Sequence, residues 1–166
     1  MFSLTDSLGF ASGNVSRDAW VIRLFASRGF EMFVAQSFAK NFGLYGERAG
    51  ALHVVISSED VRLSVTSQLA FYSRTEVSTP PAFGSHIVST ILQDMELKKE
   101  WTENLAIMAK RIKDVRWLLY EELCRLQTPG SWEHIVAQVP EIQWLKLTEG
   151  WDVFVHRVDV CTSSNA

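Results

Sequence analysis

The sequence predicts an α/β protein. Three observations carry that reading: two short apolar runs, Phe30 to Ala35 and Gly50 to Ile56; capped helical stretches on either side of them; and a long amphipathic stretch from Leu97 to Leu126. The chain has 166 residues, 47% hydrophobic and 21% charged, which is enough for one domain with a core. Sixteen Lys and Arg against 19 Asp and Glu leave a net charge of −3, so no basic excess is expected to draw nucleic acid or an anionic membrane. No apolar run approaches the roughly 20 residues needed to span a bilayer. The opening MFSLTDSLGF has neither the basic and apolar regions of a signal peptide nor the arginine-rich pattern of a transit peptide, so no targeting segment is expected. Cys124 and Cys161 cannot build a disulfide framework, and His53, His86, His134 and His156 lack ligand spacing, so no metal site is expected.

The elements follow in order. Ser16, with Asp18 in the first turn, opens an apolar-rich stretch through Ala26, and Gly29 closes it as a helix. Phe30 to Ala35 and Gly50 to Ile56 are too short for helices and too apolar for half-exposed strands, so both suit adjacent strands covered on two faces. Ser58, Glu59 and Asp60 begin a second helix with Val61, Val65, Leu69 and Tyr72 on one face and Arg74 just beyond it. Pro80-Pro81 forces an extended linker, and Ile87, Val88, Ile91 and Leu92 mark a short helix ending near Asp94.

Leu97, Trp101, Leu105, Met108, Ile112, Val115, Leu119, Leu123 and Leu126 then form one stripe, stopped by Thr128-Pro129-Gly130. A helix of about 30 residues, near 45 Å long at 1.5 Å per residue, outgrows a domain of this size and needs more protein to lie against. From Val139 the pattern alternates like strands, with a turn at Glu149-Gly150 and fraying from Thr162 to Ala166.

Chemistry concentrates in SFAKNFGLYGERAG, residues 37–50, which follows the first buried strand. Active sites of α/β proteins gather at such strand ends. Lys40, partly desolvated and near the cation Arg48, would lose some preference for its charged form, so its amine could attack a carbonyl to form an imine. Ser37 and Arg48 could hold a phosphate. On spacing alone the more common outcome is that Lys40 and Arg48 are solvated loop residues, the usual place for both types. Ser37-Phe38-Ala39-Lys40 also fits the SxxK pattern of serine β-lactamases, a distant alternative because the companion SDN and KTG elements are absent.

The segments GFASGNVSRDAW (9–20), AQSFAKNFGLYGERAG (35–50), STPPAFGSHIVSTIL (78–92) and QTPGSWEHI (127–135) together resemble the aspartate aminotransferases, enzymes dependent on pyridoxal phosphate, over about residues 9 to 138. GFASGN and TPGSWEHI look closer to the cytosolic form, which implies a cytoplasmic protein. The resemblance implies a partial large domain of the fold-type I aminotransferase architecture over 1–93, a long interdomain helix and the start of the small domain over 94–138, and a divergent tail over 139–166. It implies that Lys40 bonds covalently to pyridoxal 5'-phosphate and shuttles the substrate's α-proton, and that Ser37 and Arg48 bind the cofactor phosphate. Arg74 falls where the family places an arginine that grips the distal carboxylate of aspartate or glutamate in the neighbouring subunit's site, and Ser78 falls in the same interfacial loop. The implied partners are dicarboxylic amino acids, their 2-oxo acids, and a second subunit.

Departures accompany these matches. The match starts at the family's middle, without the phosphate loop, the stacking aromatic residue or the asparagine on the ring oxygen. The family's aspartate beneath the pyridine nitrogen and its tyrosine on the ring oxygen align with Leu4 and Ser7, with Asp6 a replacement for the aspartate only across a gap. After Gln138, VPEIQWLKLTEGWDVFVHRVDV replaces the family's glycine-rich continuation, and the family's arginine for the α-carboxylate is missing: Arg157 is the one late arginine, and nothing around it resembles that site. Little turnover is expected of such a chain. It would be an unstable truncated form, or one that pairs with a full-length aminotransferase, with two adjacent strands left open at their edges and the apolar stripe uncovered.

Overall fold

A computed structural model describes residues 2–5, 7–137 and 157–162. Four strands form one sheet in the order β1 (Phe2–Thr5), β2 (Met32–Ser37), β3 (Gly50–Ile56) and β4 (Arg157–Thr162). β1 runs parallel to β2, β2 antiparallel to β3, and β3 parallel to β4. The sequence predicts the two central strands but not β1, whose four residues are too few to show a pattern. Nor are the central strands open at their edges: β1 lies along β2 and β4 along β3, which satisfies backbone groups that an edge would leave bare. The expected turn at Glu149-Gly150 lies outside the described residues.

β2 starts at Met32 rather than Phe30, because Gly29 (φ +75°) ends the preceding helix and the Phe30 ring turns back onto Phe25, 5.4 Å between centroids. Met32, Val34 and Ala35 are buried, yet Phe33 stays 41% exposed, so the described residues do not cover both faces of β2 as its composition suggests. Before it lie α1 (Val15–Asp18) and α2 (Trp20–Ser27). The cap of α1 is Asn14, whose side chain accepts from the Arg17 N–H at 3.0 Å, and not Ser16. Asp18 acts elsewhere: its Oδ2 accepts from the backbone N–H groups of Gly9 at 2.8 Å, Ala11 at 3.2 Å and Ser12 at 3.4 Å, tying down the loop between β1 and α1.

Ser58 caps a 3-10 turn (Glu59–Val61) that leads into α3 (Arg62–Glu76). This helix runs past the expected end and takes Arg74 into its last turn, where the Thr75 hydroxyl donates to the Phe71 carbonyl. Of its expected apolar face, Val65 and Leu69 are half-buried while Val61 and Tyr72 are exposed. α4 (Phe83–Gln93) hands directly to α5 (Met95–Arg125) through Asp94, which ends one helix and caps the other by accepting from Glu96 and Leu97 N–H at 2.9 and 3.0 Å. α6 (Glu133–Ala137) follows the Thr128-Pro129-Gly130 stop and is tied back to α5 by Arg116 Nε on the Ile135 carbonyl, 2.6 Å.

The core sits where β2, β3, α4 and the first half of α5 meet. Phe38, Ala49, Ala51 and Val88 pack together with Phe42 and Leu44 against them. Gly84 lets α4 approach, since a Cβ there would lie 2.8 Å from Glu47 Cβ and 3.0 Å from Ala49 Cβ. Within the predicted stripe of α5 only Leu105 is buried, at 0% exposure, with Ala109 one turn on. Gly9, at φ +97°, accommodates it, because any side chain there would collide with Leu105.

Candidate functional site

Lys40 lies in the turn that follows β2, half-buried, with its Nζ donating to Ser7 Oγ at 3.3 Å. The parallel pairing of β1 and β2 explains this meeting. With Thr5 opposite Gln36, both strands end at the same edge of the sheet, so Ser7 and Lys40 emerge side by side. The sequence alone aligns Ser7 with a position it cannot chemically replace; the structure makes it the hydroxyl that receives the lysine.

Ser37 closes β2, opposite Gly50 in register, and its Oγ accepts from the Ala39 N–H at 3.2 Å, which shapes the turn leading to Lys40. Arg48 returns to the same end of the sheet just before β3. It is half-buried, donates from Nη1 to the Tyr45 carbonyl at 3.2 Å, and has a left-handed backbone at φ +51°. A non-glycine residue in that region is strained, and such strain clusters where function fixes a conformation. The Phe38 N–H to Ala49 carbonyl bond, 3.0 Å, extends the β2–β3 pairing into this connection and brings the backbones of the Ser37 and Arg48 segments together.

Arg74 and Ser78 stand apart from this group in the contacts observed. Arg74 is exposed in the last turn of α3 and has no ion pair among the described residues, while Ser78 is exposed at φ +67° before Pro80-Pro81. Leu4 belongs to β1, and Asp6 lies outside the described residues.

Two residues escape a reading of the sequence by motif. Asn41 is buried to 2% exposure directly after Lys40, with Nδ2 on the Leu8 carbonyl at 3.3 Å. Trp101 of α5 donates its indole N–H to the Asn41 carbonyl at 2.8 Å and stacks on Phe42 at 4.6 Å and 17°. Trp101 is legible as a member of the stripe, but its target is not. No three metal-ligating side chains cluster among the described residues. No helix among them is long and apolar enough to cross a membrane.

The group's chemistry can be weighed against a phosphorylated aldehyde cofactor. A primary amine held beside a hydroxyl at a strand end, with a guanidinium and a second hydroxyl on the adjoining connection, fits its aldehyde and phosphate ends. Fold and site together define a partial α/β domain built around a strand-end lysine. Residues 8–163 match the family model for aminotransferase class I and II, and the chain belongs to that family. The SxxK reading falls with this assignment.

The chain is 46% identical over 153 residues to a cytoplasmic aspartate aminotransferase of Dictyostelium discoideum, covering 92% of this chain and 35% of that protein. Among solved structures, a mitochondrial aspartate aminotransferase from Trypanosoma brucei superposes with a TM-score of 0.77 at 40% identity, over 82% of this chain and 36% of that one. An aromatic-amino-acid aminotransferase from Burkholderia pseudomallei, covalently bound to pyridoxal phosphate, gives 0.76 at 36% identity, over 82% and 35%. The chain therefore spans about a third of the length of the relatives it matches.

Proposed function

We propose that this chain carries the lysine-bearing part of an aspartate aminotransferase site, which exchanges an amino group between L-aspartate and 2-oxoglutarate. The observation that carries the proposal is the half-buried Lys40 amine, seated on Ser7 Oγ at the end of a parallel strand pair in a chain of this family. Pyridoxal 5'-phosphate, when bound, supplies an aldehyde carbon for an amine and a conjugated ring that accepts electrons. Lys40 is the residue whose amine would hold the cofactor at its aldehyde end and would take and return the proton at the substrate's α-carbon. Ser37 and Arg48 hold the phosphate by charge-assisted hydrogen bonds. Arg74 binds the distal carboxylate of a dicarboxylic amino acid or 2-oxo acid in a second subunit, with Ser78 in the same loop, so the working unit is a homodimer in the cytoplasm.

Trapping tests this. Borohydride reduction of purified chain mixed with pyridoxal phosphate is expected to fix the cofactor's mass on the peptide containing Lys40, and Lys40→Ala to remove it. Cofactor recovered only in free form from the wild-type chain would refute the assignment of Lys40. Turnover is expected to be far below that of a complete site, because the resemblance aligns leucine with the family's aspartate beneath the ring nitrogen and such electrostatic terms are usually the largest in catalysis.

A second reading is favoured by exposed apolar side chains on α5 and α2, among them Leu118 at 60% and Trp20 at 58%. In it the chain does no chemistry alone and pairs with a full-length aminotransferase. Co-purification with such a partner would support it, and a stable monomer by sedimentation would count against it.

A further inference from the structure

The amine of Lys40 owes its position to more than its own bond to Ser7. Residues 40 and 41 cross to residues 7 and 8 by two neighbouring hydrogen bonds, Lys40 Nζ to Ser7 Oγ and Asn41 Nδ2 to the Leu8 carbonyl, both 3.3 Å. The first ends on flexible side chains at both sides. The second joins a short, buried side chain to backbone, so it is the one able to fix the spacing of the two segments. A third bond, Trp101 Nε1 to the Asn41 carbonyl at 2.8 Å, holds the same residue from the side of α5.

Among the described residues Asn41 is the one buried polar side chain, and its Oδ1 has no partner there. The amide cannot be turned to relieve this, since that would set oxygen against the Leu8 carbonyl. A buried acceptor left bare costs stability that an apolar side chain of similar size would not. What Asn41 supplies in return is its donor, aimed at the segment that receives the lysine.

We propose that Asn41 is a positioning residue for the Lys40 amine, clamping the Lys40 turn between the Leu8 carbonyl and Trp101 of α5. The inference rests on the reading of Lys40 as the reactive amine. It adds that the first half of α5, distant in sequence, helps set where that amine stands.

Competitive acylation of lysines in the cofactor-free chain, read peptide by peptide by mass spectrometry, tests the clamp with exposed Lys98 as internal reference. Asn41→Asp keeps the side chain's shape but, ionised at mildly alkaline pH, places oxygen opposite the Leu8 carbonyl. The ratio of Lys40 to Lys98 labelling is expected to rise about fivefold, the population change of one lost hydrogen bond, while circular dichroism stays native. A packing role alone would not respond to an isosteric change. An unchanged ratio in folded Asn41→Asp overturns the proposal. If that variant does not fold, Trp101→Phe decides, since it keeps an aromatic ring for Phe42 and removes the donor together with one ring of the indole: a Lys40 ratio raised in folded Trp101→Phe supports the clamp and an unchanged one overturns it. Failure of borohydride trapping on the wild-type chain would instead strike the cofactor reading, and the labelling ratio separates the two.

Discussion

Between Ser37 and Ala51 the chain buries Phe38, Ala49 and Ala51 against Val88 of α4, whereas between Lys110 and Arg125 of α5 no apolar side chain is buried. Both stretches are rich in apolar residues, and the second has the more regular pattern. The difference lies in what each meets. The Lys40 turn is enclosed by the sheet, α4 and Trp101, while among the described residues the second half of α5 packs on α6, and Leu119 remains 49% exposed. Periodicity marks a face suited to burial; it does not deliver the partner.

The largest effects should come from the buried side of this comparison. Gly9→Ala forces a methyl group into Leu105 at a left-handed φ, and Leu105→Ala empties a fully enclosed position. Each is expected to cost about 2–5 kcal/mol by urea denaturation, and Leu119→Ala less than about 0.5 kcal/mol. Equal costs for Leu105→Ala and Leu119→Ala would break the comparison, since they would mean that both halves of the helix are covered in solution. Asp94→Ala sharpens it at the helix's start, with an expected loss of about 1 kcal/mol from two uncapped N–H groups.

The smallest effect concerns Glu31, at the start of β2. Its carboxylate accepts from Ser57 Oγ at 2.6 Å and Ser57 N–H at 3.1 Å, and these bonds hold its pKa below the usual carboxylate value. A lowered folded-state pKa means stability that is present above the ordinary value and is lost as pH falls through the lowered one. Glu31→Gln should therefore flatten the acid side of the thermal-stability profile slightly, with no change near neutrality in the slope. A variant that melts with the wild-type pH dependence would show that the pair makes no contribution in solution.

Legibility followed range. Asn14, Ser58 and Asp94 cap helices through bonds to residues two or three positions on: the sequence marks Ser58 as a helix start, Asp94 only as a helix end, and puts the first cap at Ser16 instead of Asn14. β3 was read to the residue because its apolar run is bounded by Gly50 and Ser57-Ser58. Arg74 was read as lying beyond α3, and its inclusion reflects a helix that continues through polar residues with no buried face to signal it. At the site, Ser37, Lys40 and Arg48 share one short segment and could be grouped by spacing. Ser7 and Asn41 could not, because their partners lie 33 residues away.

By itself, then, the sequence determined most of the local elements, the family and the short segment that carries Ser37, Lys40 and Arg48, since propensities, caps and motifs act over a few residues. The tertiary structure alone decided which half of α5 is buried, which hydroxyl receives Lys40 and how Asn41 and Trp101 hold the turn. Those outcomes depend on strand register and helix docking, which bring together residues that no local pattern relates.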